Sequence, residues 1–161
     1  MGRNSTREHK TVYQISREQA GLTREAASEL LECISPERIE RIESEKVQPR
    51  PEDVLRMARA YHDPSLCNHY CSQECEIGKV HVPEVKFKEL SQITLEIIAH
   101  LNALTREKDR LIEITVDGEI SADERADFEV IRENLEQMSL TIDALKLWVD
   151  HAIVTGRMEE D

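Results

Sequence analysis

Three cysteines recur at every fourth position of the chain, at Cys67, Cys71 and Cys75, and His69 lies between the first two. Cysteine thiolates and histidine nitrogens bind zinc, thiolates also hold iron–sulfur clusters, and a thiolate is the reactive form in redox chemistry. On a straight helix the three sulfurs would share one face, from which they cannot all reach one ion. We therefore expect the cysteines, including Cys33, to pack as small buried side chains without a cofactor. A zinc or iron–sulfur site at Cys67, Cys71, Cys75 and His69 and a redox sensor are the alternatives.

The part of the chain before these cysteines, from Tyr13 to Tyr61, predicts four short amphipathic helices. Gly21 signals the end of one helix, Thr23 is suited to cap the second, and Ser35 to cap the third. Pro49 cannot continue the third helix, so a loop is expected before the fourth. The second and third helices with their tight turn form a helix-turn-helix. The common use of that arrangement is to lay its second helix in the major groove of DNA.

A more specific signal comes from residues throughout this segment: Arg17–Leu31, Ile34–Ser35, Ile39–Glu43, Pro49, and the face formed by Val54, Leu55, Met57, Ala58 and Ala60. They resemble the N-terminal domain of the Xre/Cro-like helix-turn-helix family of bacterial and phage repressors, over about a third of the chain. The resemblance implies a lambda-repressor-like domain that binds double-stranded DNA and regulates transcription, with Glu43 as a structural acid. It also implies that five side chains face the DNA: Arg24, Ser35, Glu37, Arg38 and Arg41.

The recognition helix departs from the family pattern because it is rich in acidic residues such as Glu37 and Glu40. Carboxylates repel phosphates, whose neutralisation supplies much of the affinity for DNA, although a Glu can accept a hydrogen bond from cytosine. The alternative is therefore a domain that keeps this fold but binds a partner protein with little DNA affinity. If DNA is bound, we expect further basic residues to contact the phosphate backbone: Lys46 and Arg50 after the helix, and Arg3, Arg7 and Lys10 as an N-terminal arm.

Composition and charge narrow the range of functions. The chain has 161 residues and a formal net charge of −12. Residues 1–63 contain 11 basic and 12 acidic residues, so almost all of the acidic excess lies in residues 64–161. The sequence has neither a membrane-spanning apolar run nor a signal-peptide pattern, which predicts a cytoplasmic protein. It has no phosphate-binding loop, nucleophile elbow or paired His–Glu zinc motif, so we expect neither an enzyme nor a small-molecule substrate.

Residues 83–155 predict a long antiparallel helical hairpin with a turn at Asp117–Gly118. Its first helix is expected to begin at Pro83 and to end near Val116. Further apolar residues widen the apolar stripe on the surface of each helix. Two helices packed together cannot bury stripes of that width. We therefore expect a homodimer in which two hairpins form a four-helix bundle, or else packing of the second stripe on the helix-turn-helix domain. The row predicted to pair the two helices is Leu90, Thr94, Ile97, Leu101, Leu104, Lys108 and Leu111 with Phe128, Ile131, Leu135, Met138, Ile142, Leu145, Val149 and Ala152.

The sequence thus predicts an all-α protein in three parts. Residues 10–63 are expected to form a helix-turn-helix DNA-binding domain, residues 64–82 a Cys-rich junction, and residues 83–155 a coiled-coil hairpin that dimerises. The predicted function is a dimeric, sequence-specific transcriptional regulator of the Xre type. A protein-interaction module and a metal or redox sensor are the alternatives.

Overall fold

Every regular element of the described chain is helical. A computed structural model describes residues 10–159, and no strand occurs among them. The chain divides into two compact units, Met1–Val85 with Val149–Asp161, and Lys86–Trp148. None of the described helices is long and apolar enough to cross a membrane. The helices are α1 (Val12–Gln19), α2 (Arg24–Leu31), α3 (Pro36–Glu43), α4 (Pro51–Ala60), α5 (Ser65–His69), a π-helical turn (Tyr70–Glu74), α6 (Gly78–His81), α7 (Leu90–Thr115) and α8 (Arg125–Val154).

The first three helices begin at side-chain caps. The hydroxyl oxygens of Thr11, Thr23 and Ser35 each accept a hydrogen bond from the backbone N–H three residues later, at 3.2–3.4 Å. Such caps satisfy N–H groups that have no partner within the helix. Shortly after α1 ends, Gly21 has a φ of +72°, a conformation that favours glycine. The predicted helix-turn-helix and the all-α fold are confirmed.

Helices α1 to α5 enclose one apolar core. The side chains of Ala27, Ile39 and Met57 are completely buried. Because Ala27 is small, α2 and α3 can pack closely there. The core also contains Leu66 of α5, which is 1% exposed. The whole cluster is Tyr13, Ala27, Leu31, Ile34, Ile39, Ile42, Val54, Met57, Ala58, Tyr61 and Leu66.

The Cys-rich segment folds against this core. Cys67 and Tyr70 pack on the core beside Leu66. Gly78, the first residue of α6, passes so close to the π-helical turn that a Cβ atom there would lie 2.0 Å from the carbonyl oxygen of Cys71. Glycine is therefore needed at this position for steric reasons.

The long helix α7 begins at Leu90, later than the predicted start at Pro83. The Asn68 side chain engages the backbone at the predicted start, because its Nδ2 donates to the carbonyl oxygen of Pro83 at 3.1 Å and its Oδ1 accepts from the N–H of Val85 at 2.8 Å. These hydrogen bonds hold Pro83 and Val85 outside the helix. The predicted end of the helix near Val116 is confirmed.

Helices α7 and α8 run antiparallel within the unit Lys86–Trp148. The Nε2 atom of His100 lies 3.3 Å from Oγ1 of Thr141, and Nδ2 of Asn134 donates to Oε1 of Glu107 at 2.8 Å. The second contact is further along α7 and further back along α8 than the first. The two contacts therefore fix the register of the hairpin.

The row predicted to pair these helices is wrong at several positions. Ile97, Leu104 and Leu111 are partly buried as expected, but four others are exposed: Leu90, Thr94, Leu101 and Lys108. On α8, Leu135 and Ile142 are likewise exposed. The contacts of His100 with Thr141 and of Glu107 with Asn134 mark one row on each helix. The residues at the same helical spacing, all at least partly buried, are here called the inner row: Ile93, Ile97, His100, Leu104, Glu107, Leu111 and Ile114 on α7, and Phe128, Ile131, Asn134, Met138, Thr141 and Leu145 on α8.

Candidate nucleic-acid interface

The orientation of α3 is fixed by the turn before it and the core beneath it. The Ser28 hydroxyl donates a hydrogen bond to the carbonyl oxygen of Ile34 across the α2–α3 turn, at 2.8 Å. Ile39 and Ile42 are buried at successive turns of α3. Since these two side chains point into the core, the opposite face of α3 is presented to solvent.

A buried carboxylate holds the two ends of the helix-turn-helix together. Glu43, at the end of α3 and 3% exposed, accepts from Nε of Arg17 at 2.5 Å and from Nε of Arg24 at 2.8 Å. Burial opposes the charge of Arg17, but the hydrogen bond and attraction of Glu43 outweigh it and raise the pKa of Arg17. Arg17 also donates from Nη1 to the carbonyl oxygen of Leu22 at 2.6 Å. Glu43 therefore connects α1, α2 and α3.

Two of the arginines predicted to face DNA have acidic partners within the domain. Arg24 binds Glu43, and its side chain is one-third exposed. Arg38 on α3 donates from Nη2 to Oδ2 of Asp53 in the first turn of α4. The same Asp53 oxygen accepts the backbone N–H of Arg50 at 3.0 Å. These contacts reduce the positive charge that Arg24 and Arg38 can offer to a phosphate.

The remaining predicted basic contacts lie on the exposed face of α3 and in the loop that follows. Arg41 and Arg50 are exposed, and among the described residues neither has an acidic side chain within ion-pair distance. Lys46 is exposed and lies 3.2 Å from Oε1 of Glu40, a surface pair that solvent and salt screen strongly. Lys10 of the proposed arm pairs with Glu18 at 2.6 Å. Arg3 and Arg7 lie outside the described residues.

Carboxylates occupy the N-terminal ends of both helices of the motif. The Ser35 hydroxyl and the residue's own N–H lower the pKa of Glu37. At the start of α2, the pKa of Glu25 is lowered by its own N–H and by the Thr23 hydroxyl. Both acids are exposed and ionised at neutral pH. They lie at the helix N-termini, where the partial positive charge of the helix dipole would otherwise favour binding of a phosphate.

Sequence reasoning missed two residues of this surface. Gln48 is exposed in the α3–α4 loop between Lys46 and Arg50, and its amide can donate to a phosphate without adding charge. Its position between two basic residues was the available signal. Asp53 was the other omission, because the pairing with Arg38 joins residues of different helices and leaves no local pattern.

The cysteines and histidine predicted as alternative ligands are only partly buried, and the structure does not assemble them. No group of three or more His, Cys, Asp or Glu side chains within residues 10–159 is placed to hold a metal ion. Burial, followed by the nearby Cys71, raises the pKa of the Cys67 thiol, which disfavours the reactive thiolate. His69 instead packs edge-on against Tyr13. Cys33 is exposed, so the expectation that it is buried is wrong.

Tyr13 links the Cys-rich segment to α1. Its hydroxyl donates to Oε1 of Glu74 at 2.7 Å, and the same oxygen lies 3.6 Å from Nε2 of His69. Burial and the hydrogen bond to Glu74 raise the pKa of Tyr13. The tyrosine therefore stays protonated and acts as a donor that holds the π-helical turn in place.

Comparison with known protein families agrees with this geometry. A family model described as a helix-turn-helix domain matches residues 14–63, which include most of α1 and all of α2, α3 and α4. The N-terminal part of the chain is a helix-turn-helix domain, consistent with the Xre-like resemblance. No curated protein and no solved structure matches the chain significantly.

Proposed function

We propose that this protein is a sequence-specific DNA-binding regulator of transcription, of the Xre type, that acts as a homodimer. The observation that carries the proposal is an exposed α3 face within a helix-turn-helix domain, with Arg41 on the helix and Arg50 in the adjoining loop. A DNA-binding role implies a binding protein rather than an enzyme. It also implies that the protein is located in the cytoplasm of a bacterium, where the DNA is.

In the proposed complex, α3 enters the major groove. Glu37 and Arg41 share the exposed side of α3, and Ser35 is exposed at its N-terminal cap, so all three are positioned to meet base edges or nearby phosphates. Arginine is suited to the two acceptors of guanine, and a carboxylate to the amino group of cytosine. Lys46, Gln48 and Arg50 contact the backbone and set the register of the helix in the groove. Arg24 and Arg38 mainly stabilise the fold, through their ion pairs with Glu43 and Asp53.

The small number of exposed cations on this surface supports action as a dimer. Arg41, Lys46 and Arg50 offer three phosphate contacts from each domain. For a dimer with six contacts, the logarithm of the binding constant should fall with the logarithm of salt concentration at a slope of about −5. One domain alone should bind far more weakly. Two domains joined through the hairpin would read half-sites about 34 Å apart.

Selection of bound sequences from a random DNA pool tests the proposal directly. A palindromic consensus is expected, and Arg41→Ala should weaken binding to it by about tenfold or more. Arg106→Ala is the matched control, because Arg106 is an exposed arginine of α7 outside the helix-turn-helix domain. Equal effects of the two substitutions, or failure to enrich any sequence, would contradict the proposed function.

The second candidate is a protein-interaction module. The observation that favours it is the row of exposed carboxylates Glu25, Glu37 and Glu45 beside α3, which repels phosphates. It predicts no measurable affinity for DNA even at low salt.

A further inference from the structure

A partly enclosed cavity of about 440 Å³ lies between three segments of the first compact unit. One wall is the start of α1, and the second is the end of α3 with the loop that follows. The third wall is the Cys-rich segment, where His69 and Glu74 line the cavity. Small-molecule sites in proteins have volumes of about 300–1,000 Å³. This cavity is therefore large enough for a small organic ligand.

Apolar side chains form part of the cavity wall. Val12 of α1 and Val47 of the α3–α4 loop are partly buried, and Ile42 and Pro49 are buried. Sites for small molecules combine such a wall with a few polar groups that orient the ligand. The wall therefore suits a ligand with an apolar body.

Glu74 provides one of these polar groups. Its side chain is only 18% exposed. Its Oε1 accepts the Tyr13 hydroxyl at 2.7 Å and lies 3.6 Å from Nε2 of His69. Its other oxygen, Oε2, accepts no hydrogen bond from the residues that the structure describes. A mostly shielded carboxylate oxygen without a partner favours a ligand that brings a hydrogen-bond donor.

Glu45 adds a second carboxylate to the cavity. The residue has a φ of +59°, a conformation that glycine adopts with less strain. The adjacent Lys46 pairs with Glu40, and within residues 10–159 no cation lies at ion-pair distance from Glu45. The chain thus carries an unpaired acid at a position where glycine would be more favourable.

The balance of charge determines what kind of ligand the cavity accepts. Lys10 lies at the edge of the cavity, but Glu18 binds its ammonium group at 2.6 Å. Neither Glu45 nor Glu74 has a lysine or arginine as a partner among the described residues. A carboxylate on a ligand would be repelled there, whereas a positive group would be attracted.

We propose that this cavity binds a small organic cation. The ammonium or guanidinium group of the ligand donates to Oε2 of Glu74, and its apolar body packs against Val12 and Val47. Glu45 adds attraction between opposite charges. Because Gln48 of the DNA-facing loop also lines the cavity, a bound cation lies beside that loop and lowers the repulsion between Glu45 and phosphates. This effect on DNA rests on the proposed function, whereas binding of the cation does not.

A set of probes with one apolar body tests the class of ligand: 3-phenylpropylamine, 3-phenylpropanol and 3-phenylpropionate. Each is titrated into the full-length chain while NMR follows the methyl resonances of Val12 and Val47. The amine should shift both resonances with a dissociation constant of about 1 mM. The alcohol should bind about tenfold more weakly, because it lacks the charge-assisted hydrogen bond. An amine that leaves both resonances unchanged at about 10 mM, or that binds no better than the carboxylate, would overturn the proposal.

Substitution of Glu74 tests the residue that meets the positive group. Glu74→Gln keeps an oxygen that can accept the Tyr13 hydroxyl but removes the charge. The dissociation constant of the amine should rise by about tenfold, while that of the alcohol stays the same. Glu76→Gln is the matched control, because Glu76 is exposed, pairs with Lys79 and does not line the cavity. Equal losses in the two variants would show that general charge, and not this site, attracts the amine.

Glu45→Gln changes an exposed loop position and leaves the hydrogen bond of Tyr13 intact, so it tests the site even if Glu74→Gln disturbs the fold. It should weaken binding of the amine by about threefold. In the native chain, saturating amine should raise the affinity for DNA by about threefold at constant ionic strength. Unchanged DNA affinity would overturn that coupling. Amine binding without DNA affinity would remove the regulator assignment and leave the cation site, and DNA affinity without amine binding would do the reverse.

Discussion

The carboxylate of Asp53 on α4 accepts a hydrogen bond from the guanidinium of Arg38 on α3. The pair draws Arg38 toward α4, so an arginine on the expected recognition helix serves the packing of the domain. Since Asp53 also accepts the N–H of Arg50, one acid fixes both the helix and the end of the loop after it. The cationic surface of the motif is therefore smaller than its sequence suggests.

Releasing Arg38 should strengthen contact with phosphates. Asp53→Asn removes the charge that holds Arg38, while the amide oxygen can still accept the N–H of Arg50. We expect higher affinity for random-sequence DNA and a salt slope steeper by about 1 for each domain. Fluorescence anisotropy at several salt concentrations measures both quantities. Glu52→Gln is the control for loss of one acid from the same turn of α4, and an equal response would show that Asp53 has no special role.

Removing the charge of Glu37 should also increase DNA affinity. In water, a unit charge about 7 Å from a phosphate contributes about 0.6 kcal/mol, so Glu37→Gln should tighten binding to random DNA by about threefold for each half-site. Glu133→Gln in the hairpin controls for the change in net charge. If Glu37→Gln instead weakens binding to the selected sequence, the carboxylate contacts a base, and repulsion between Glu37 and the phosphates is not its main effect.

Loss of the buried carboxylate of Glu43 should destabilise the domain. Glu43→Gln leaves Arg17 buried without a full counter-charge, and removing one partner of a buried pair costs about 3 kcal/mol or more. Urea unfolding followed by circular dichroism measures the change. Glu40→Gln, which disrupts only the exposed pair with Lys46, should cost less than about 1 kcal/mol. Comparable losses in the two variants would refute the structural role given to Glu43.

The close approach of α6 to the π-helical turn predicts a steric effect. Gly78→Ala should lower the free energy of unfolding by about 2–3 kcal/mol, because the new Cβ collides with the backbone of Cys71. Gly118→Ala is a useful comparison, since Gly118 has open space around it and a φ of +78°. Its cost should be only about 1 kcal/mol, from backbone conformation. A smaller loss at Gly78 than at Gly118 would mean that the segment relaxes freely.

Local signals predicted the helix-turn-helix well. Caps at Thr23 and Ser35, the glycine at Gly21 and the loop at Pro49 each act within a few residues, so they can be identified without tertiary structure. The same holds for the end of α7 near Val116. The partners of Arg24 and Arg38 are 19 and 15 residues away, and such pairs depend on how helices pack.

In the hairpin, the prediction of which residues face the other helix is partly wrong, and the reason is different. Its helices carry two rows with the same 3–4 periodicity, one through His100 and Thr141 and one through Leu101 and Ile142. The more apolar row was predicted to pair the two helices, since hydrophobicity is the main guide to burial. Most of the inner row is apolar, but two polar pairs, His100 with Thr141 and Glu107 with Asn134, belong to it where the prediction has Leu101, Lys108, Leu135 and Ile142. Periodicity shows which residues share one face of a helix, but it does not show what that face contacts.

Leu66 has a practical consequence for anyone who prepares a shortened DNA-binding fragment. The residue completes the interior of the helix-turn-helix from beyond the match to residues 14–63. A fragment cut after residue 63 would lose this buried side chain and leave part of the core exposed to water. A fragment that extends through α6 keeps Leu66, together with the close contact between Gly78 and the backbone of Cys71.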